Sequence, residues 1–234
     1  SYERPFFGSC LGDPPIVPLR KWFYSISMYH GERFNGLSHL IGSLLAAAGA
    51  AVLITFAALF GDSWKVVGTT IYGAGMILVY TMSTIYHSTP GPAKQFLRKL
   101  DCIAIYFMIA GTYTPFCLVS LRGPWGWWLF GIVWSLAVLG ALLEVKLSHR
   151  TRIPSLILYF VMALLAVVAL KPLTEALPWN GFLWLTFGGL LYLTGFFFYL
   201  FDEKVLHFHG IWHLFVIGGT VCQYLSIFLY VVLQ

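Results

Sequence analysis

Seven long apolar runs occupy most of this 234-residue sequence and constrain its fold more than any other feature. They cover Ser38–Phe60, Trp64–His87, Asp101–Leu121, Trp125–Glu144, Pro154–Leu170, Phe182–Phe201 and His209–Leu233. Each has 17 to 25 residues, the length of a helix that crosses a hydrocarbon core about 30 Å thick. Lipid offers backbone groups no other partners, so each run is expected to be helical. The sequence therefore predicts an all-α integral membrane protein built as a seven-transmembrane helix bundle.

The composition excludes a water-soluble domain. Only 10% of the residues are charged and 59% are hydrophobic, whereas a soluble domain carries about 25% charged residues. The net charge of +5 comes from basic residues in short connecting loops, which indicates helix orientation rather than binding to nucleic acid. We therefore expect a multi-pass protein of the cell membrane whose partners are membrane lipids, with no nucleic-acid partner.

The basic residues also predict the orientation. Eleven of the fourteen lie before the first run or in the even-numbered loops, and three lie on the other side: Lys65, Arg122 and Lys171. Because basic residues concentrate in cytoplasmic loops, the N-terminus is expected in the cytoplasm and the C-terminus outside.

Residues 1–27 differ from the membrane domain, which is expected over residues 28–234. This segment lacks the apolar stretch of a signal peptide. It is either an interfacial segment, anchored by the basic and aromatic stretch Arg20–Tyr24, or a tail that is not native, with Met28 as the true start.

Ionisable residues gather where three of the runs meet the predicted cytoplasmic face: His87, Asp101, His209 and His213. His209 and His213 are four residues apart, so both imidazoles project from one helix face. Ser83 has the same relation to His87. Two histidines from one helix and one from another, with a carboxylate nearby, suit a tetrahedral zinc site with an open fourth position.

Each residue also has a simpler interpretation. A lone pair of histidines four residues apart is a weak signal. His87 could be an ordinary interfacial residue, and Asp101 could pair with Lys99 or Arg98. His30, His149 and His207 are predicted to be solvated loop residues. The zinc hypothesis depends on the convergence of several such groups at one membrane depth.

Five ordered motifs resemble those of the hemolysin III family, the bacterial branch of the progestin and adipoQ receptor superfamily. They are Glu32-x-x-Asn35-x-x-Ser38-His39-x-x-Gly42, Ser83-x-x-x-His87-Ser88, Leu100-Asp101, Ala110-Gly111-Thr112-Tyr113-Thr114-Pro115-Phe116 and His209-x-x-x-His213. The resemblance covers about residues 28–234 and leaves residues 1–27 outside. One departure is Cys102, where the bacterial pattern usually has histidine after the aspartate.

The resemblance implies a seven-helix bundle with a cytoplasmic N-terminus and a bacterial inner-membrane location. It also implies that Zn²⁺ is bound by His87, His209 and His213. Asp101 and Ser83 would then surround a zinc-bound water, and three residues of the first motif would support the site: Glu32, Asn35 and His39.

Three functions follow from these residues and from the resemblance. The first is a zinc-dependent hydrolase of a lipid amide or ester bond, because the superfamily is similar to the alkaline ceramidases in its Ser, Asp and three-His arrangement. The second is a receptor-like membrane or lipid sensor in which zinc is structural. The third is the pore-forming activity implied by the family name, although no run shows the regular polar stripe of a channel. The substrate and the oligomeric state stay open.

Overall fold

The computed structural model describes residues 32–146 and 152–234, and all regular elements in these two ranges are helices. The α-helices are α1 (Arg33–Phe60), α2 (Ser63–Ser88), α3 (Lys94–Pro115), α4 (Pro124–Lys146), α5 (Ile153–Val168), α6 (Leu170–Ala176), α7 (Trp179–Phe201) and α8 (Phe208–Ile227). Short π-helical segments follow α3 (Phe116–Ser120) and α8 (Phe228–Val232). The expectations for residues 1–27, His30 and His149 fall outside the described ranges.

Six spans in the described ranges are long and apolar enough to cross a membrane, and the bent pair α5–α6 makes a seventh if it crosses as one unit. Many large apolar side chains on the outer helices are exposed, including Leu44 at 67% and Trp128 at 73%. Contiguous apolar surface of this extent suits lipid rather than water. The prediction of a helical membrane bundle is confirmed.

The fifth predicted run, Pro154–Leu170, corresponds to helix α5 (Ile153–Val168), and the chain bends just beyond it. Helix α5 ends at Val168, and the axis of α6 is turned by 54° from that of α5. Pro172 accounts for the break, because it has no N–H and its ring crowds the carbonyl four residues earlier, which is that of Val168. The predicted run is therefore helical almost to its end, and a short helix at an angle follows it.

A second proline changes the helix geometry of the third span. Pro115 ends the α-helical part of α3, and the chain continues as a π-helical segment in which Leu121 N–H donates to the carbonyl of Phe116 at 2.8 Å. Proline removes one backbone donor, and π turns commonly absorb such interruptions in membrane helices. The third span thus accommodates Pro115 by a change from α-helical to π-helical geometry.

Three helices form the inside of the bundle. In the most apolar stretch of each span, 50% of the residues are buried in α2 and in α8, and 61% in α3. In α7 the buried share is only 11%. All the predicted metal ligands and Asp101 lie on these inner helices. The site is thus built on the part of the chain that lipid contacts least.

Glycine brings α1 close to the start of α8. A Cβ atom on Gly210 would lie 2.8 Å from the Phe34 ring and 3.2 Å from Oδ1 of Asn35. Only glycine permits this approach without displacing the Phe34 and Asn35 side chains. The contact places the first two turns of α1 beside His209 and His213.

Candidate metal centre

The three predicted ligands meet at one end of the bundle. His87 comes from the last turn of α2, and His209 and His213 come from the first turns of α8. One potential ligand atom from each residue lies within 4.8 Å of the others. Within the described ranges, this group of histidines could bind a metal ion.

The distance between His87 and His209 shows whether the histidine group has the dimensions of a metal site. Their Nε2 atoms are 3.2 Å apart. Tetrahedral zinc with N ligands at 2.0–2.1 Å separates two ligand atoms by about 3.3–3.4 Å. The observed separation therefore fits the edge of a tetrahedral site.

The other ring nitrogen of each histidine already has a partner. Nδ1 of His87 lies 2.6 Å from Oε2 of Glu32, and Nδ1 of His209 lies 2.6 Å from Oδ2 of Asp202. Nδ1 of His213 lies 3.4 Å from Oγ of Ser38, whose own proton goes to the Asn35 carbonyl. These acceptors assign the ring proton to Nδ1 in all three residues.

This assignment has an electrostatic consequence. A neutral imidazole that donates through Nδ1 has only a lone pair at Nε2. Two such lone pairs 3.2 Å apart repel each other, unless a proton or a metal cation lies between them. The donor set is thus arranged as in metal sites where carboxylates and other polar groups orient the histidine ligands.

Glu32 connects the start of α1 to the site. Besides His87, its carboxylate accepts from Nζ of Lys94 at 3.0 Å and from Nδ2 of Asn35 at 3.1 Å. The hydrogen bond with His87, together with those from Lys94 and Asn35, outweighs partial burial and holds the pKa of Glu32 well below its ordinary value. The carboxylate is therefore ionised at neutral pH and can orient His87. The Asn35 side chain thus supports Glu32, and its backbone carbonyl also accepts from His213.

Asp202 is the site residue that sequence reasoning missed. It lies in the turn between α7 and α8, seven residues before His209, and only 6% of its side chain is exposed. Burial opposes its ionisation, but hydrogen bonds from His209 and Arg152 prevail, so the pKa of Asp202 lies below its ordinary value. No helical spacing relates the two residues. The available signal was a carboxylate at the end of a span on the predicted cytoplasmic side.

His39 packs against the ligands without binding through its nitrogens. Its ring stacks on that of His213, with centroids 3.7 Å apart and planes 17° apart, and meets the Tyr80 ring edge-on at 5.1 Å. Both of its ring nitrogens are buried and have no hydrogen-bond partner among the described residues. The structure thus places His39 as a wall of the site.

Asp101 and Ser83 lie beside the histidines. Ser83 is buried one turn before His87, and its hydroxyl interacts with the carboxyl group of Asp101. Asp101 is also close enough to His209 and to Arg98 for charge attraction. Lys99, the other suggested partner, donates instead to the carbonyl of Val145 at 2.8 Å. The structure brings both predicted catalytic residues to the ligand group.

The ligands differ in their access to solvent. His87 and His213 are 2% and 1% exposed, whereas the His209 side chain is 28% exposed. His207 is exposed, as predicted, and adopts a left-handed backbone conformation with φ of 70° just before α8. The approach to the site is therefore on the His209 side.

The fold and the site together define a multi-pass helical membrane protein with a buried three-histidine group able to bind a metal ion. The family model described as "Haemolysin-III related" matches residues 27–224. The chain belongs to this family, which confirms the resemblance seen in its motifs.

Curated relatives agree. The chain is 42% identical to "Hemolysin-3" of Bacillus cereus over 201 residues, which cover 86% of this chain and 91% of the relative. It is also 42% identical over 202 residues to the "Hemolysin-3 homolog" of Bacillus subtilis (strain 168), covering 86% and 94% of the two chains. A more distant similarity, 27% over 203 residues and 84% and 82% of the chains, is to the human "Monocyte to macrophage differentiation factor".

Proposed function

We propose that the chain is a zinc-dependent hydrolase of amide or ester bonds in membrane lipids. The observation that carries the proposal is the 3.2 Å approach of the Nε2 atoms of His87 and His209 beside a carboxyl group and a hydroxyl group. In the described ranges the ligand group contains three histidines and no fourth member, which leaves a coordination position for water or substrate.

Zinc is the metal that best suits this donor set. Three imidazole nitrogens in tetrahedral arrangement are typical of catalytic zinc sites. A bound zinc ion would lower the pKa of water toward about 7 and polarise a carbonyl oxygen. His87, His209 and His213 would hold it, with Glu32, Asp202 and Ser38 fixing the orientation of the three rings.

Asp101 and Ser83 supply the remaining chemistry. The Asp101 carboxylate would accept the proton of the attacking water, and the Ser83 hydroxyl would donate to the oxygen on which negative charge develops. As the carbon–nitrogen bond of an amide breaks, the proton held by Asp101 would pass to the departing nitrogen. The products are a carboxylic acid and an amine, so water is the only co-reactant.

A lipid substrate suits the position of the site. The ligands lie within one or two turns of the ends of membrane-spanning helices, at the depth where lipid headgroups join their acyl chains. An acyl amide such as a ceramide-like lipid, or an acyl ester, would present its carbonyl at that depth while its chain stays in the hydrocarbon.

The first test is metal content in protein purified in mild detergent. We expect about one zinc per chain in the unaltered protein and none in the His209→Ala/His213→Ala variant. His207→Ala is the matched control, because His207 is exposed two residues before His209 and lies outside the ligand group. Absence of metal in the unaltered protein would overturn the proposal.

The second test separates catalysis from metal binding. The Asp101→Asn variant should still bind zinc. Its rate of hydrolysis of acyl amides or esters, in detergent or vesicles, should fall by about 100-fold or more. Asp62→Asn, at the far end of the bundle, should retain full activity.

A metal-loaded protein that hydrolyses neither class of lipid would favour a sensor with structural zinc. The burial of His87 and His213, which join α2 to α8, is the observation that favours that alternative.

A further inference from the structure

The two carboxylates that orient the ligands, those of Glu32 and Asp202, each form an ion pair with a cationic side chain. Lys94 reaches Glu32, which contacts His87, and Arg152 reaches Asp202, which contacts His209. In both cases the cation comes from a helix start or a loop that carries no ligand. The two ion pairs differ in geometry and burial, so we expect Arg152 and Lys94 to contribute differently to the site.

Arg152 is held by several contacts just before α5. Its Nη1 donates to Oδ1 of Asp202 and to Oε1 of Glu203, both at 2.8 Å, and its Nη2 donates to the carbonyl of Tyr199 at 2.6 Å. The guanidinium also lies over the Tyr199 ring, 4.5 Å from its centroid. A planar guanidinium can make all these contacts at once, which the ammonium group of lysine cannot.

His209 depends on this arrangement more than the other ligands do on theirs. Its ring is the most exposed of the three, and it starts α8 directly after a turn. Asp202 contacts its Nδ1 at 2.6 Å and is almost fully buried. A buried carboxylate needs a charged partner to stay ionised, and Arg152 is that partner.

We propose that Arg152 is a positioning residue for the metal centre, acting through Asp202 to hold the His209 ring and so to retain the metal. The inference rests on the proposed metal site for its metal-binding consequence. The orientation of His209, by contrast, can be measured without metal.

Lys94 provides the internal comparison. The Lys94 and Glu32 side chains are 29% and 25% exposed, compared with 17% and 6% for Arg152 and Asp202. Glu32 also accepts from Asn35, so it keeps a partner when Lys94 is lost. Exposed ion pairs contribute little. Loss of Arg152 should therefore weaken the site more than loss of Lys94.

The experiment measures zinc affinity by competition with a chelator for five variants. Arg152→Gln should weaken binding by about tenfold or more, within the 10–100-fold range typical of residues behind metal ligands. Arg152→Lys should recover part of the loss, and Lys94→Gln should lose less. Glu203→Gln is the matched control: it removes an exposed carboxylate from the same guanidinium and should stay within about twofold of the unaltered protein. The fifth variant, Asp202→Asn, should match or exceed the loss in Arg152→Gln.

A double variant separates positioning from a general loss of structure. If Arg152 acts through Asp202, Arg152→Gln/Asp202→Asn binds zinc no more weakly than Asp202→Asn alone. Losses that multiply would overturn the proposal, as would unchanged affinity in Arg152→Gln. Thermal midpoints of all variants in detergent identify any that have simply unfolded.

A metal-free measurement keeps the two hypotheses apart. In chelator-treated protein, the rate at which diethyl pyrocarbonate modifies His209, read by mass spectrometry, should rise severalfold in Arg152→Gln and in Asp202→Asn but not in Glu203→Gln. If this rate rises while no variant binds metal, the positioning of His209 stands and the metal site fails. If metal binds but neither the rate nor the affinity changes, the positioning role fails and the proposed function stands.

Discussion

His39 shows how one residue type serves two purposes within a few ångströms. His213 is assigned to donate through Nδ1 and to present Nε2 to the ligand group. The His39 ring, stacked on it at 3.7 Å, has no partner for either nitrogen in the described ranges. Sequence reasoning placed His39 near the site from its motif but could not assign its contact, since a motif does not reveal which ring edge faces which neighbour.

The packing role of His39 can be tested directly. His39→Phe keeps the aromatic surface and removes two buried polar atoms, so we expect a thermal midpoint at least equal to that of the unaltered protein and zinc affinity within about threefold. His39→Ala should leave a cavity beside His213 and cost about 3 kcal/mol. Loss of metal in His39→Phe would show instead that a nitrogen of His39 is required.

At the level of helices, the start of α2 is set by local chemistry that the sequence displays. Asp62 starts α2 by accepting from the backbone N–H groups of Trp64 at 3.0 Å and Lys65 at 2.9 Å, and it also accepts from Arg122 at 3.1 Å. The backbone hydrogen bonds, chiefly that from Lys65, hold the pKa of Asp62 below its ordinary value. This cap lies at the end of the bundle opposite the metal centre.

Replacing the cap should destabilise the bundle without affecting the site. Asp62→Ala should lower stability by about 0.5–2 kcal/mol, and Asp62→Asn, which keeps a capping oxygen, by less. Because the pKa is lowered on folding, the contribution of the charge is fully present above the ordinary aspartate value of about 4 and is lost as the pH falls below it. The thermal midpoints of Asp62→Asn and of the unaltered protein should therefore converge as the pH is lowered through that range. A difference that stays constant with pH would contradict a contribution from the Asp62 charge.

For the whole molecule, the bundle places its three-histidine group at one end, together with most of the basic residues of the described ranges. The ends of α2, α4 and α7 and the starts of α3, α5 and α8 lie at this end, because successive spans run in opposite directions. The charge count assigns it to the cytoplasm. With this predicted orientation, water would reach the three-histidine group from the cytoplasm, and the lipid of the proposed function would come from the inner leaflet.

Labelling of introduced cysteines tests this orientation. A membrane-impermeant maleimide applied to intact cells lacking an outer membrane barrier should label Glu175→Cys, which lies on α6 at the far end, and should label Glu203→Cys only after permeabilisation. Both side chains are well exposed, at 67% and 69%. Labelling of the unaltered protein gives the background from its four native cysteines. The reverse pattern would place the metal centre outside.

The sequence by itself determined the apolar spans, and the spacing of His209 and His213 placed both on one helix face. Hydropathy and helical period act within a single segment, so they can be read without the fold. The tertiary structure decided the rest: the nitrogens of His39, which have no partner among the described residues, and the pairing of Asp202 with His209 and Arg152. Those contacts depend on how each helix is rotated and how each turn folds back. Packing between distant segments sets both, and the local pattern does not encode it.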